Sequence, residues 1–224
     1  MIKKTGQSIH STRRLINAEP VVSLGLLLAT LVASIVVTPL ILDDKNIIST
    51  LFACLIIISL ILALRTLIRG SPNVRLCIEF VGIVAVVLRV AVGTIYAYPW
   101  MTFFTLTVGL LFNACMMVLL IKYLFVAVPQ IEKLLAAINF YLLTGISFSQ
   151  CYLFISLANP HAFNLVGQAI NGWPDYLYFS FVTLTTLGYG DILPLSSLAQ
   201  SLVSLEAIIG VLSPTIMIAR FVGK

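Results

Sequence analysis

The sequence predicts an all-α integral membrane protein with six transmembrane helices and one re-entrant half-helix. Three observations point there. Hydrophobic residues make up 60% of the 224 and charged residues 9%, with mean hydropathy +1.11; a soluble domain carries roughly 25% charged residues. Six apolar runs come close to the ~20 residues a helix needs to cross a bilayer. Between the last two runs lies a glycine-bearing stretch, TLTTLGYGDI, that fits neither a span nor an ordinary loop.

The first 20 residues, MIKKTGQSIHSTRRLINAEP, are basic and polar. The apolar run after them is too long for a signal-peptide core and lacks a cleavage pattern, so it reads as the first span, Val21 to Leu42. Asn46 to Leu64 follows the short loop DDK as the second. The third runs from about Arg75 to Trp100 and contains Glu79 and Arg89; the fourth runs from about Met101 to Val128. Tyr98-Pro99-Trp100 marks the turn between them, with two aromatics suited to a membrane interface. The fifth covers about Ile131 to Leu157 and the sixth about Ser196 to Val222. The chain thus divides into an N-terminal segment (1–20), four peripheral helices (21–130) and a final unit (131–224).

Charge tests this count. With the N-terminus in the cytoplasm, Lys3, Lys4, Arg13, Arg14, Arg65, Arg69, Arg75, Lys122, Lys133, Arg220 and Lys224 fall at or near the inner face, 11 of the 13 basic residues. Lys45 falls outside and Arg89 within the membrane. Asp43, Asp44, Asp175 and Asp191 fall outside. Six spans with both termini cytoplasmic satisfy the positive-inside rule and put the glycine-rich stretch on the outer side. The +5 net charge is then a matter of orientation and implies no nucleic-acid partner. There is no room for a soluble domain, and no enzyme or cofactor is expected. Cys54, Cys77, Cys115 and Cys151 all lie in apolar segments without CxxC spacing and read as small buried apolar residues.

Irregular backbone survives at membrane depth only when packed in protein or lining a watery path. Asn171 to Pro174 reads as a turn, Asp175 as an N-cap or first-turn acid, and Tyr176 to Thr185 as a re-entrant half-helix. Its C-terminal dipole end favours a cation. Glycines at 188 and 190 alternate with side-chain residues, which lets successive carbonyls face one way. A row of carbonyls about a central axis can replace a cation's water shell. One chain supplies one row, so a ring needs several chains.

Here the sequence resembles the potassium channels, whose selectivity filter carries T-x-G-Y-G, usually followed by Asp. The likeness covers about Ile131 to Lys224: half-helix, TTLGYGD, and a glycine-bearing last helix in that order. The first four spans resemble the peripheral helices of six-span channels in number and topology. The resemblance implies a homotetrameric pore with 131–224 as the pore domain. The carbonyls of Thr186, Leu187, Gly188 and Tyr189, with the Thr186 hydroxyl, would coordinate K+. Gly190 and Asp191 would shape the outer mouth, and the Tyr189 ring would pack behind the filter.

Two departures follow. Some bacterial two-span channels pair a pore-helix glutamate with the filter aspartate. The matching position here is Val182, so Asp191 is expected to lack that partner. Voltage-gated relatives repeat Arg or Lys along the fourth span; this one has Lys122 alone. Moving one charge through 100 mV yields about 2.3 kcal/mol, and steep gating needs several per subunit. Strong voltage gating is therefore not expected.

Three residues of the last span are candidate gating elements. Glu206 is an intramembrane carboxylate that either attracts cations near the cavity, holds the back side of the filter through hydrogen bonds, or packs as a neutral, hydrogen-bonded acid against the fifth span near Gln150 or Ser147. Gly210, where potassium channels often carry a hinge glycine, and Pro214 loosen and kink the helix. Helical phase from Gly210 makes Val211, Pro214 and Ile218 cavity-facing. Arg89 snorkels or pairs, with Asn113 as a partner in reach; Glu79, near Arg75, is structural; His161 has no companion at metal-ligand spacing. The basic N-terminal segment can lie on anionic lipid.

The expected function is passive, potassium-selective conduction in the plasma membrane, the inner membrane if the source is bacterial. The alternatives are a weakly selective cation channel, a potassium transporter subunit and a regulatory subunit lining no pore. Transporter subunits carry several degenerate filter-like loops, and one is found here. The chain stops soon after the sixth span, so either the sequence is a truncated piece or gating lies in the filter itself; lipid, pH, tension and a partner protein are all open as the stimulus.

Overall fold

The computed structural model describes the backbone of residues 3–37, 47–67, 72–94, 99–167, 170 and 172–222. Side chains are described there except at 3–19, 47–53, 65–67, 72, 74, 75, 89, 92–94, 99 and 221–222. The basic N-terminal side chains, the DDK loop, Arg65, Arg69, Arg75, Arg89, Tyr98, Asn171 and Lys224 therefore lie outside the described residues or side chains.

Among the described residues seven helices follow in order: α1 Lys3–Val37, α2 Ile47–Leu67, α3 Pro72–Thr94, α4 Pro99–Leu124, α5 Gln130–Ala158, α6 Trp173–Leu184 and α7 Ser197–Val222. Helix α1 already begins in the polar N-terminal segment and runs through Pro20. Among the described residues, four apolar stretches are long enough to cross a membrane: Pro20–Val37, Trp100–Leu124, Gln130–Ala158 and Ser197–Arg220. Shorter apolar stretches lie in α2 (Cys54–Leu64) and α3 (Leu76–Leu88). The chain is a multi-pass membrane protein. Its backbone departs from the all-α expectation at one place. Two three-residue strands, β1 Phe163–Leu165 and β2 Ile192–Pro194, pair antiparallel with Asn164 opposite Leu193.

Helices α1 to α4 pack in sequence, and both α1 and α4 pack against α5 of the same chain. Only residues 125–129 separate α4 from α5, so the peripheral bundle sits on its own final unit. The core joining them includes Leu24, Leu27 and Leu31 of α1, Leu60 and Leu64 of α2, and Phe112, Met116 and Leu120 of α4. Polar pins fix the register. Thr30 donates to Ser59 at 2.7 Å, and Asn139 of α5 donates to the Leu24 carbonyl at 2.9 Å. The Tyr123 hydroxyl donates to buried Glu132.

Among the described residues no cysteine forms a disulfide, and Cys54 alone of the four is buried. Cys151 is half-buried, and Cys77 and Cys115 are exposed. The expectation of four buried cysteines fails because hydropathy marks a span without marking which of its faces meets protein.

Candidate functional site

Helix α6 enters between α5 and α7 and stops after 12 residues. Its N-cap is Gly172, at φ 103°, with Pro174 and Asp175 in the first turn. Asp175 is thus a first-turn acid, and the half-helix starts three residues earlier than expected. Trp173 donates its indole N–H to Ser149 of α5 at 3.2 Å. Two glycines let α6 come close. A Cβ on Gly145 of α5 would lie 2.7 Å from the Phe181 ring, and one on Gly210 of α7 would lie 2.0 Å from the Leu184 carbonyl oxygen.

The last four carbonyls of a helix lack intrahelical partners, and here each finds one. Phe181 O accepts from the Thr185 amide at 3.0 Å and the Thr185 hydroxyl at 2.6 Å. Val182 O accepts from the Leu187 amide at 2.9 Å and the Gly188 amide at 3.3 Å. Thr183 O accepts from the Thr186 amide at 2.9 Å, and Leu184 O from the Tyr141 hydroxyl at 3.2 Å.

This pattern sets the direction of the next carbonyls. A trans peptide holds its C=O antiparallel to its N–H, and no described peptide is cis. The amides of Leu187 and Gly188 point back at Val182, so the carbonyls of Thr186 and Leu187 point away from α6. Positive φ recurs at every second residue: Thr186 at 60°, Gly188 at 57° and Gly190 at 76°. Such an alternation lets successive carbonyls face one side. The glycines were legible as left-handed positions; Thr186 was not, because a β-branched residue rarely adopts positive φ. Among the described residues, no hydrogen bond reaches the carbonyls of Thr186 to Tyr189.

Val182 gives Asp191 no carboxylate partner, as expected, but Asp191 takes another partner on α6. The Tyr178 hydroxyl donates to Asp191 Oδ2 at 2.7 Å, one turn before Val182. The Tyr178 ring also stacks on Tyr189, with centroids 6.5 Å apart and planes at 8°. Strands β1 and β2 close the excursion at its neck, and the Val166 amide donates to Asp191 O at 2.9 Å. Behind them Tyr152, Phe163, Tyr176 and Phe179 form a contiguous aromatic cluster. In the single chain, residues 185–190 are exposed, Tyr189 at 66%.

Glu206 is wholly buried. It meets neither Gln150 nor Ser147. Its partners are the hydroxyls of Tyr152 on α5 and Ser180 on α6. Positions 150 and 152 differ by about 200° around a helix, so they serve opposite faces. Gln150 accepts from Asn113 of α4 at 3.2 Å, and Ser147 bonds the Leu143 carbonyl at 2.7 Å. Asn113, expected from the sequence as a partner for Arg89, is thus engaged with α5; the Arg89 side chain lies outside the described ones.

Pro214 sits inside α7, four residues after Gly210. Without an N–H it cannot bond the Gly210 carbonyl, so the missing backbone bond falls at that glycine. With Met217 and Ile218 it lines a hollow of about 260 Å³ facing Leu134, Ala137, Ile138 and Tyr141 of α5. Val211 is exposed on the single chain. At the C-terminal end of α7, Arg220 lies over the Phe125 ring at 4.9 Å and shares a pocket with Lys133.

Residues 133–224 match the ion channel family. The inward rectifier potassium channel Kirbac3.1 of Paramagnetospirillum magnetotacticum is 35% identical over 89 residues, which is 36% of this chain and 27% of that protein. The chain thus spans about a quarter of the length of that curated relative. No solved structure matches. The motif, the half-helix that presents it and both comparisons fall on the same stretch: residues 133–224 match the ion channel family model and include a segment similar to a potassium channel.

Proposed function

We propose that this chain is one subunit of a homotetrameric, potassium-selective channel that conducts K+ passively across the plasma membrane. The observation that carries the reading is the alternating backbone of 186–190, with the Leu187 and Gly188 amides tied to Val182 and the Thr186 and Leu187 carbonyls turned away from α6. Such a row can exchange for the hydration shell of a cation. Thr186, Leu187, Gly188 and Tyr189 supply the carbonyls, the Thr186 hydroxyl the innermost ligand, and Gly190 and Asp191 the outer mouth. No residue performs covalent chemistry, and no cofactor is required beyond the permeant ion. Ions leave quickly because several sites in a row share them.

Assembly as a tetramer is supported by what one chain leaves uncovered. Irregular backbone cannot face lipid, yet 185–190 is exposed here. Helix α7 also shows Leu205, Ile208, Val211 and Leu212 on its surface. Copies of the chain around one axis would cover both. Six spans with cytoplasmic termini agree with Lys133 and Arg220 sharing the inner end of the bundle. Units 21–130 and 131–224 act as peripheral bundle and pore domain. Helix α4 carries Lys122 as its basic residue, in its last turn, so voltage dependence is shallow. Gly210 and Pro214 form the bend at which the inner helix gates.

The test is potassium flux into liposomes holding the purified protein, with a sodium gradient as control, barium as blocker and Gly188→Ala alongside. At φ 57° an alanine adds about 1–2 kcal/mol of backbone strain. Barium-sensitive, potassium-selective flux that the variant loses is expected. Equal sodium and potassium flux through the wild type would overturn the selectivity.

A further inference from the structure

Glu206 lies behind the proposed filter, and its surroundings contain a hydrogen-counting problem. Ser180 Oγ is 2.7 Å from the Gly145 carbonyl oxygen and 2.5 Å from Glu206 Oε1. One hydroxyl carries one proton, so it cannot serve both acceptors. The Tyr152 hydroxyl serves Glu206 Oε2. With Glu206 ionised, three acceptors share two donors, and a full charge sits in a site of 0% exposure. Isolated buried charges are costly enough that the group usually neutralises.

A proton on Oε1 resolves the count. Glu206 then donates to Ser180 Oγ, Ser180 donates to Gly145 O, and Tyr152 donates to Oε2. Every acceptor is served and no charge remains. The other titratable groups in electrostatic reach are Tyr141 and Cys151 of α5, neither of them a cation. On α7 the basic residue is Arg220, 14 residues and about 21 Å along the helix.

We propose that Glu206 is held as a neutral carboxylic acid and acts as a positioning residue for potassium selectivity, tying α6 to both α5 and α7. This rests on the filter reading above. The link to selectivity runs through Val182. Ser180 fixes the rotation of α6 two residues before the carbonyl that holds the Leu187 and Gly188 amides. A slack tether at Ser180 lets that carbonyl turn, and the filter amides turn with it.

The experiment compares wild type, Glu206→Gln, Glu206→Ala and Tyr152→Phe in liposomes, reading the potassium-to-sodium permeability ratio. An infrared difference spectrum of Glu206→Gln against wild type then tests for a protonated carboxyl stretch. Glutamine mimics the neutral acid, with a carbonyl for Tyr152 and an N–H for Ser180. The ratio should stay within about twofold in Glu206→Gln and fall about tenfold in Glu206→Ala, the scale of losing one or two hydrogen bonds. Tyr152→Phe should fall between them. Glutamine as damaging as alanine would mean that the charge is needed and would overturn the proposal. Full selectivity in all three variants would overturn the positioning role. Should Glu206→Ala fail to assemble, Glu206→Gln and Tyr152→Phe still decide. Should the wild type itself conduct no potassium selectively, the filter reading falls; the infrared band then tests the neutral acid separately, and its absence overturns it.

Discussion

Gly210 has a contact reason to be glycine beside any hinge role, and the two make different predictions for Gly210→Ala. The new Cβ would stand 2.0 Å from Leu184 O, whereas contacts under 3.0 Å are essentially never seen. The backbones must part by about 1 Å. Overpacking of this kind costs about 1–3 kcal/mol. The Tyr141 bond to the same oxygen, already 3.2 Å long, is worth about 0.5–1.5 kcal/mol and would stretch or break. Helix propensity returns about 1 kcal/mol. The net is a destabilisation of about 1–3 kcal/mol per subunit, placed at the last residue of α6 and felt directly by Thr185 and Thr186. The temperature at which the proposed tetramer dissociates and the potassium-to-sodium flux ratio should both fall, and further in Gly210→Ser. An alanine variant with unchanged stability and selectivity but altered opening would refute the contact reasoning and leave the hinge.

Two further substitutions examine the frame around the site. Gly145→Ala should destabilise by about 1–3 kcal/mol, through a Cβ 2.7 Å from the Phe181 ring. The double variant with Phe181→Leu should recover most of that in thermal unfolding; no recovery would mean the ring is not the obstacle. Tyr178→Phe keeps the stack on Tyr189 but removes the bond to Asp191, a loss of about 1 kcal/mol at the outer mouth. Flux should then decay faster under sustained gradients, and an unchanged decay would show that the bond does not hold the mouth.

The helices were legible because runs of about 20 apolar residues have few other uses, and their ends were less so. The first span was expected to reach Leu42, but α1 is described to Val37. Residues 38–46 lie outside the description. The half-helix and its two glycines were legible because glycine, proline and a first-turn acid act locally. Contacts between elements left no such trace. Nothing near Asp191 in sequence marks Tyr178, and nothing near Glu206 marks Tyr152 or Ser180. Thr186 takes its left-handed angle against its own preference, which only the surrounding structure can impose. The strands FNL and ILP are too short to show an alternating pattern.

That small ribbon has a dynamic consequence. It joins the two ends of the excursion from Val166 to Asp191, so neither end can fray independently. Opening of the Leu187 and Gly188 amides requires rupture inside a closed loop or release of the whole neck. In native-state hydrogen exchange these amides should therefore be replaced together with those of the ribbon, as one cooperative unit. The shortest secondary structure in the molecule would then set the lifetime of its most specialised backbone.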